Sequence, residues 1–258
     1  MQALTLPAKR GLRWLVEGFA IFQRKPVLMS FLVLGYWLSM AVVSAVPLVG
    51  HLASLLLIPA FSVSLMNACR LIDRKEELPP QLLFSGFHRN LQALLVLGFI
   101  YALSTLAVLG LAALFDGGLW FRMLVLGEKP SDEMLAQASA LMAAQLAVVL
   151  FIPVILAFWF APVLAAWHGI SAGKSLFFSL VACFRNWRPF LLYLLAVALI
   201  GLFVPRLIKS LLGGGDSAVS QSLPTAAAMM VILIFLPTLY ASSYISYRDI
   251  FAGLKDAS

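Results

Sequence analysis

Apolar residues run along this chain in long blocks separated by short polar or basic stretches. Six blocks approach or exceed the ~20 residues of helix that cross a hydrocarbon core roughly 30 Å thick. They are Val27 to Val49, His51 to Cys69, Leu91 to Phe115, Ala143 to Trp167, Phe190 to Leu212 and Ala226 to Tyr247. A helix satisfies its own backbone groups in lipid, which an open strand cannot do. None of the blocks alternates polar and apolar residues at period two, which disfavours an outer-membrane barrel. The pattern predicts an all-α integral membrane protein, one polytopic domain over residues 1–258, with six transmembrane helices. Turns are expected at Pro47-Leu48-Val49-Gly50 and Asp116-Gly117-Gly118, and a flexible linker at Gly213-Gly214-Gly215-Asp216. The first block has an apolar core about twice that of a secretory leader and is read as a retained span.

A second pattern lies between the blocks. Over residues 8–24, Leu12, Leu15, Val16, Phe19 and Phe22 share one helical arc. Lys9, Arg10, Arg13, Glu17 and Arg24 share the opposite one, with Trp14 and Ile21 near the rim. An apolar face, a basic face and a boundary Trp describe a helix lying in the membrane interface; packing on the protein's own helices is the plainer alternative. Similar stretches, Leu78 to Phe87 and Ser171 to Phe184, precede the third and fifth spans. The predicted architecture therefore has amphipathic interfacial helices on the cytoplasmic side before spans 1, 3 and 5. The even-numbered spans carry Ile58-Pro59, Ile152-Pro153 and Leu236-Pro237. The chain thus reads as three units, each an interfacial helix followed by a hairpin whose return helix is bent by proline.

Composition removes most alternatives. The chain has 258 residues, 62% hydrophobic and 11% charged, with mean hydropathy +0.99. Soluble domains are about a quarter charged, and disordered chains need low hydrophobicity. Two cysteines do not make a disulfide scaffold. The net charge of +7 is distributed unevenly. With the N-terminus inside, only Arg122, Lys129, Arg206 and Lys209 fall outside, and the other 14 of the 18 Lys and Arg fall inside. The positive-inside rule then places both termini in the cytoplasm. The excess charge describes a basic rim facing the phospholipid bilayer and its anionic lipids, not a nucleic-acid groove.

Candidate chemistry is sparse. The middle of every block lacks Asp, Glu, Lys and Arg, which argues against a proton relay, a voltage sensor or an embedded protease. No enzyme activity and no cofactor are expected. Cys69, Cys183, His88 and His168 all fall on the cytoplasmic side, but no two are close in sequence and no metal site is expected. The candidate lipid-headgroup residues are Arg10, Arg13, Arg24, Lys25, Arg70, Arg185, Arg188 and Arg248. The sixth span is the polar one. Thr238, Ser242, Ser243 and Ser246 follow Pro237 and are expected either to return hydrogen bonds to carbonyls and neighbouring helices or to line a polar path. Outside, Ser131 followed by Asp132 and Glu133 predicts a helix start, so that the fourth helix begins near Asp132.

The stretches Gly18-Phe19-Ala20-Ile21-Phe22-Gln23-Arg24-Lys25-Pro26 and Cys183-Phe184-Arg185-Asn186-Trp187-Arg188-Pro189-Phe190 resemble an uncharacterised family of six-span proteobacterial inner-membrane proteins. More distantly the chain is similar to the membrane domains of some glycerophosphodiester phosphodiesterases. The resemblance implies the bacterial inner membrane and brings no catalytic residues. Two functions are then expected: a non-enzymatic protein binding anionic lipid, a membrane-protein partner or a second copy of itself, or a passive or lipid-handling transporter built from three hairpin repeats.

Overall fold

The computed structural model describes residues 3–46, 49–212 and 218–252. Pro47 and Leu48 of the first predicted turn and the Gly213–Asp216 linker lie outside the described residues. The helices are α1 (Arg10–Arg24), α2 (Pro26–Ser44), α3 (Gly50–Arg74), α4 (Leu91–Asp116), α5 (Leu119–Phe121), α6 (Asp132–Leu135), α7 (Ala138–Phe158), α8 (Ala161–His168), α9 (Ala172–Arg185), α10 (Trp187–Leu212) and α11 (Ala218–Ile250). A 3₁₀ turn occupies Leu82–His88 and a π-helical turn Arg122–Leu126. Six segments are long and apolar enough to cross a membrane, the fourth of them made of α7 and α8 together.

Proline and glycine punctuate the helices where their backbone chemistry requires it. Pro26 opens α2, where its missing N–H costs nothing. Gly117 and Gly118, both at positive φ, close α4 and release the chain into α5. The fourth span, expected as a return helix bent by proline, is not merely bent. Instead α7 stops at Phe158 and α8 restarts at Ala161, because Pro162 can donate no hydrogen bond and would crowd the carbonyl four residues back. Its outer end also differs from expectation. Residues from Asp132 form only the short α6, and α7 starts anew at Ala138 behind an extended Gln137. Ahead of the third span a 3₁₀ turn replaces the expected helix from Leu78. Pro79-Pro80 remove two donors and push the preceding residue out of helical geometry.

The chain divides into two compact units. The first comprises Met1–Tyr36, Leu65–Leu83 and Ala182–Lys255. In it α1 packs on α10 and α11 through Gly11, Trp14, Gly18, Ile21 and Phe22, a buried stripe recurring every three, four or seven residues. Trp14 and Ile21, expected at the rim, and Phe22, expected on the lipid-facing arc, are buried here. Trp14 is fully enclosed between Phe190, at 5.2 Å, and Tyr193, at 6.1 Å between ring centroids. Gly11 lies directly on the carbonyl of Pro189, and a Cβ at Gly18 would come within 2.6 Å of the Ser242 backbone nitrogen. Leu12, Val16 and Phe19 form a second apolar stripe that faces outward.

The second unit comprises Trp37–Ser64 and Phe84–Val181. Its core joins α4 to α7 and α8. Gly98 lies on the backbone of Leu56, the close approach that small residues permit between helices in lipid.

Two contacts recur in the chain. In the first, the element ahead of an outgoing span packs on a return span. Gly18 of α1 lies on Ser242 of α11. Gly86 of the 3₁₀ turn donates its N–H to Ser64 Oγ of α3 at 2.9 Å. Ser179 of α9 donates to Leu156 O and accepts from Phe160 N, both at 2.9 Å. In the second, a polar side chain just before the outgoing span grips the chain ahead of another such element. Arg24 reaches Ile72 O and Asp73 O at 3.5 and 3.4 Å. Asn90 donates to Ala165 O and Ile170 O at 2.8 and 3.1 Å. Asn186 donates to Leu4 O and accepts from Leu6 N, both at 2.9 Å.

Filling the close approach at α1 should therefore be costly. Gly18→Val is expected to lower unfolding stability in detergent by about 2 kcal/mol or more, as overpacking against a backbone does. Gly201→Ala, with open space around it inside α10, is the control and should leave the melting temperature unchanged or raise it slightly.

Candidate functional site

The densest polar chemistry lies in the first unit, at the end where α1, α3 and α11 meet. Each helix brings ionisable residues at the margin of its apolar stretch: Arg10, Glu17 and Arg24 from α1, Asp73 from α3, Arg248 and Asp249 from α11. Arg10 donates both terminal nitrogens to the two oxygens of Glu17, at 2.7 and 3.0 Å, and its Nε to Asp249 at 2.5 Å. The indole of the buried Trp14 donates to the same Asp249 oxygen at 2.9 Å. Arg248 bridges Glu17 and Asp73 at 3.1 and 3.0 Å, and Tyr244 donates its hydroxyl to Asp73 at 3.1 Å. Arg24 completes the set 3.4 Å from Asp73.

These three guanidiniums and three carboxylates sum to zero charge. The pairs are only partly wet: the side chains of Asp249, Asp73 and Arg10 are 12%, 18% and 21% exposed. A partly desolvated pair is held by geometry and by hydrogen bonds to its remaining lone pairs, and removing one partner leaves an uncompensated charge. The hydrogen bond to Asp249 raises the pKa of Arg10 above the ordinary arginine value. The guanidinium therefore keeps its charge up to extreme alkali.

The headgroup candidates separate into two sets on this geometry. Arg10, Arg24 and Arg248 belong to the cluster. Arg13, Lys25, Arg185 and Arg188 are exposed in the same unit, Arg185 with a long 3.5 Å contact to Thr5 and Arg188 over the ring of Trp187 at 5.4 Å. Arg70 is half-buried on α3. The polar residues of the sixth span lie inside the unit. Thr238, Ser242 and Ser246 are buried and return their hydroxyls to carbonyls three or four residues back, at 2.7 to 2.8 Å. Ser242 also shares a 2.7 Å hydrogen bond with Tyr193, and Ser243 is half-buried.

Sequence reasoning missed the acidic half of the cluster. Glu17 stands two helical turns from Arg10, a spacing that places both on one face. Asp249 sits beside Arg248, so both acids were visible but unremarkable as surface charges. Nothing local signals that residues 239 positions apart, Arg10 and Asp249, share a hydrogen bond.

Asp249→Ala is expected to destabilise the full-length protein by about 3 kcal/mol in detergent, since it strands Arg10 and the Trp14 indole together. Thermal unfolding checks this, and the exposed Arg13→Ala should shift the midpoint much less.

No family model and no solved structure matches the chain. It is 37% identical, over 97% of its own length and 94% of the other's, to a protein of Burkholderia thailandensis described as a probable inner membrane protein. A likeness of that extent means that the chain belongs to the same family as this probable inner membrane protein, and its own described residues include six apolar helices of spanning length.

Proposed function

We propose that the protein is a non-enzymatic component of the bacterial inner membrane that binds anionic phospholipid through the basic rim of its first unit, with both termini in the cytoplasm. The carrying observation is the outward stripe of α1. Leu12, Val16 and Phe19 are 45%, 70% and 41% exposed, and exposed Arg13 lies beside them. A helix with its other face fixed by Trp14 and two glycines can hold such a stripe at the level of the headgroups. The backbone bond from Leu4 N to Ile250 O, at 2.9 Å, supports the shared side of the two terminal segments.

The rim rather than the cluster carries the binding in this reading. Arg10, Arg24 and Arg248 are already balanced by carboxylates. Arg13, Lys25, Arg185 and Arg188 present their charge outward from the same unit, and a cation near an anionic surface contributes about 1 kcal/mol. The outward stripe of α1 also suits a membrane-protein partner. The second reading, passive or lipid-handling transport, draws support from the two contacts that recur along the chain, because internal repeats frame many transport paths.

The test uses the full-length protein in uncharged detergent with added phosphatidylglycerol. Changing Arg13, Lys25, Arg185 and Arg188 together to Gln should weaken phosphatidylglycerol binding at least tenfold and leave the melting temperature of the lipid-free protein in place. Unchanged binding would remove the rim from the account, and substrate flux through the protein in liposomes would favour the second reading.

A further inference from the structure

The second unit contains a groove of about 510 Å³ among α3, α4, α7 and the Arg122–Leu126 turn. Its volume lies within the ~300–1,000 Å³ of small-molecule sites. Leu55, Leu106, Leu109, Val148, Phe151 and Ile155 are among the residues of its wall. The polar groups inside are already satisfied: Thr105 donates to Tyr101 O at 2.9 Å and Ser54 to His51 O at 2.7 Å. The interior therefore offers nothing to a polar occupant. Leu124, Val148 and Ile155 are each at least two-fifths exposed, so the groove is open along that side.

Its length and its mouth both limit what fits. The wall on α7 runs from Ala147 to Ile155, which at 1.5 Å per residue is about 12 Å. One leaflet of hydrocarbon is about 15 Å deep, half of a core roughly 30 Å thick. At the mouth stands exposed His51 in the first turn of α3, with Gly127 packed 3.9 Å from its ring as judged from a Cβ placed there. Beside Gly127, Glu128 faces Arg122 across 3.9 Å, with both side chains about half exposed. An exposed pair that long contributes little by itself, so both charges can turn to a ligand.

We infer that this groove holds one acyl chain of a zwitterionic phospholipid of the phosphatidylethanolamine type, its phosphate at His51 and Arg122 and its ammonium at Glu128. The mixed sign of the mouth selects the headgroup. A phosphatidylglycerol would meet Arg122 as well but would bring no ammonium to Glu128. The site is separate from the basic rim of the first unit and takes a lipid of different charge, so each can fail without the other.

The test reconstitutes the full-length protein in vesicles of phosphatidylethanolamine and phosphatidylglycerol. The probe is phosphatidylethanolamine with a photoactivatable diazirine at mid-chain, and adducts are mapped by mass spectrometry. Adducts should concentrate on peptides containing Leu55, Leu109 and Phe151. Val148→Trp, which fills the groove from its open side, should reduce them at least fivefold, and unlabelled phosphatidylethanolamine should compete better than phosphatidylglycerol. Leu124→Trp fills the groove from the Arg122–Leu126 turn and gives the same readout if the first variant does not purify as a single species. Adducts spread evenly over all six spans, or unchanged in both variants, would overturn the site. Equal competition by phosphatidylglycerol would overturn its headgroup assignment.

Discussion

A partly buried charge is costly to leave unpaired, and in the first unit that constraint is met by six side chains acting together. Arg10, Arg24 and Arg248 neutralise Glu17, Asp73 and Asp249 where α1, α3 and α11 approach one another. Each helix contributes groups that would be poorly solvated alone, and each is held by charges from the others. The backbone contacts of Gly11 and Gly18 bring α1 close enough for Trp14 to reach Asp249. Removing hydrophobic drive between helices, as lipid does, leaves close packing and polar contacts to fix the arrangement. The cluster supplies the polar part and the glycines the packing.

Much of the fold was legible because spanning a bilayer imposes a length and a composition on any segment that does it. The six apolar blocks correspond to the six long helices, with ends that differ where local chemistry intervenes. Span two runs on past Cys69 to Arg74, since Arg70, Asp73 and Arg74 can sit on a helix beyond the hydrocarbon. Span four is interrupted by Pro162 and span six extends to Ile250. The cluster was not legible as a cluster. Counting cations identifies a basic side of the membrane, but pairing depends on which helices touch, and those contacts link positions far apart in sequence. Trp14 illustrates the same limit: its amphipathic setting fits the membrane interface equally well, and only the glycines on its face mark that face as a packing surface.

α1 carries two apolar faces, one used within the unit and one left outward. Of the two expectations held for this segment, packing on the protein is met by the first face, and the second leaves Leu12, Val16 and Phe19 exposed. The hydrogen bonds of Asn90 and Asn186 show a similar economy. Each residue begins an outgoing span and at the same time secures the chain ahead of another pre-span element. Ser64 and Ser179 add hydrogen bonds to backbone groups of the neighbouring elements, Ser64 accepting from Gly86 N and Ser179 donating to Leu156 O.

The central claim, that mutual neutralisation of these charges holds the first unit together, is tested most directly by a double-mutant cycle on Arg248 and Asp73 in the full-length protein. Unfolding free energies of Arg248→Ala, Asp73→Ala and the double variant give the coupling between them. The account predicts at least about 1 kcal/mol, within the range found for residues sharing an ion-pair network. Additivity within about 0.3 kcal/mol, the behaviour of independent sites, would contradict it.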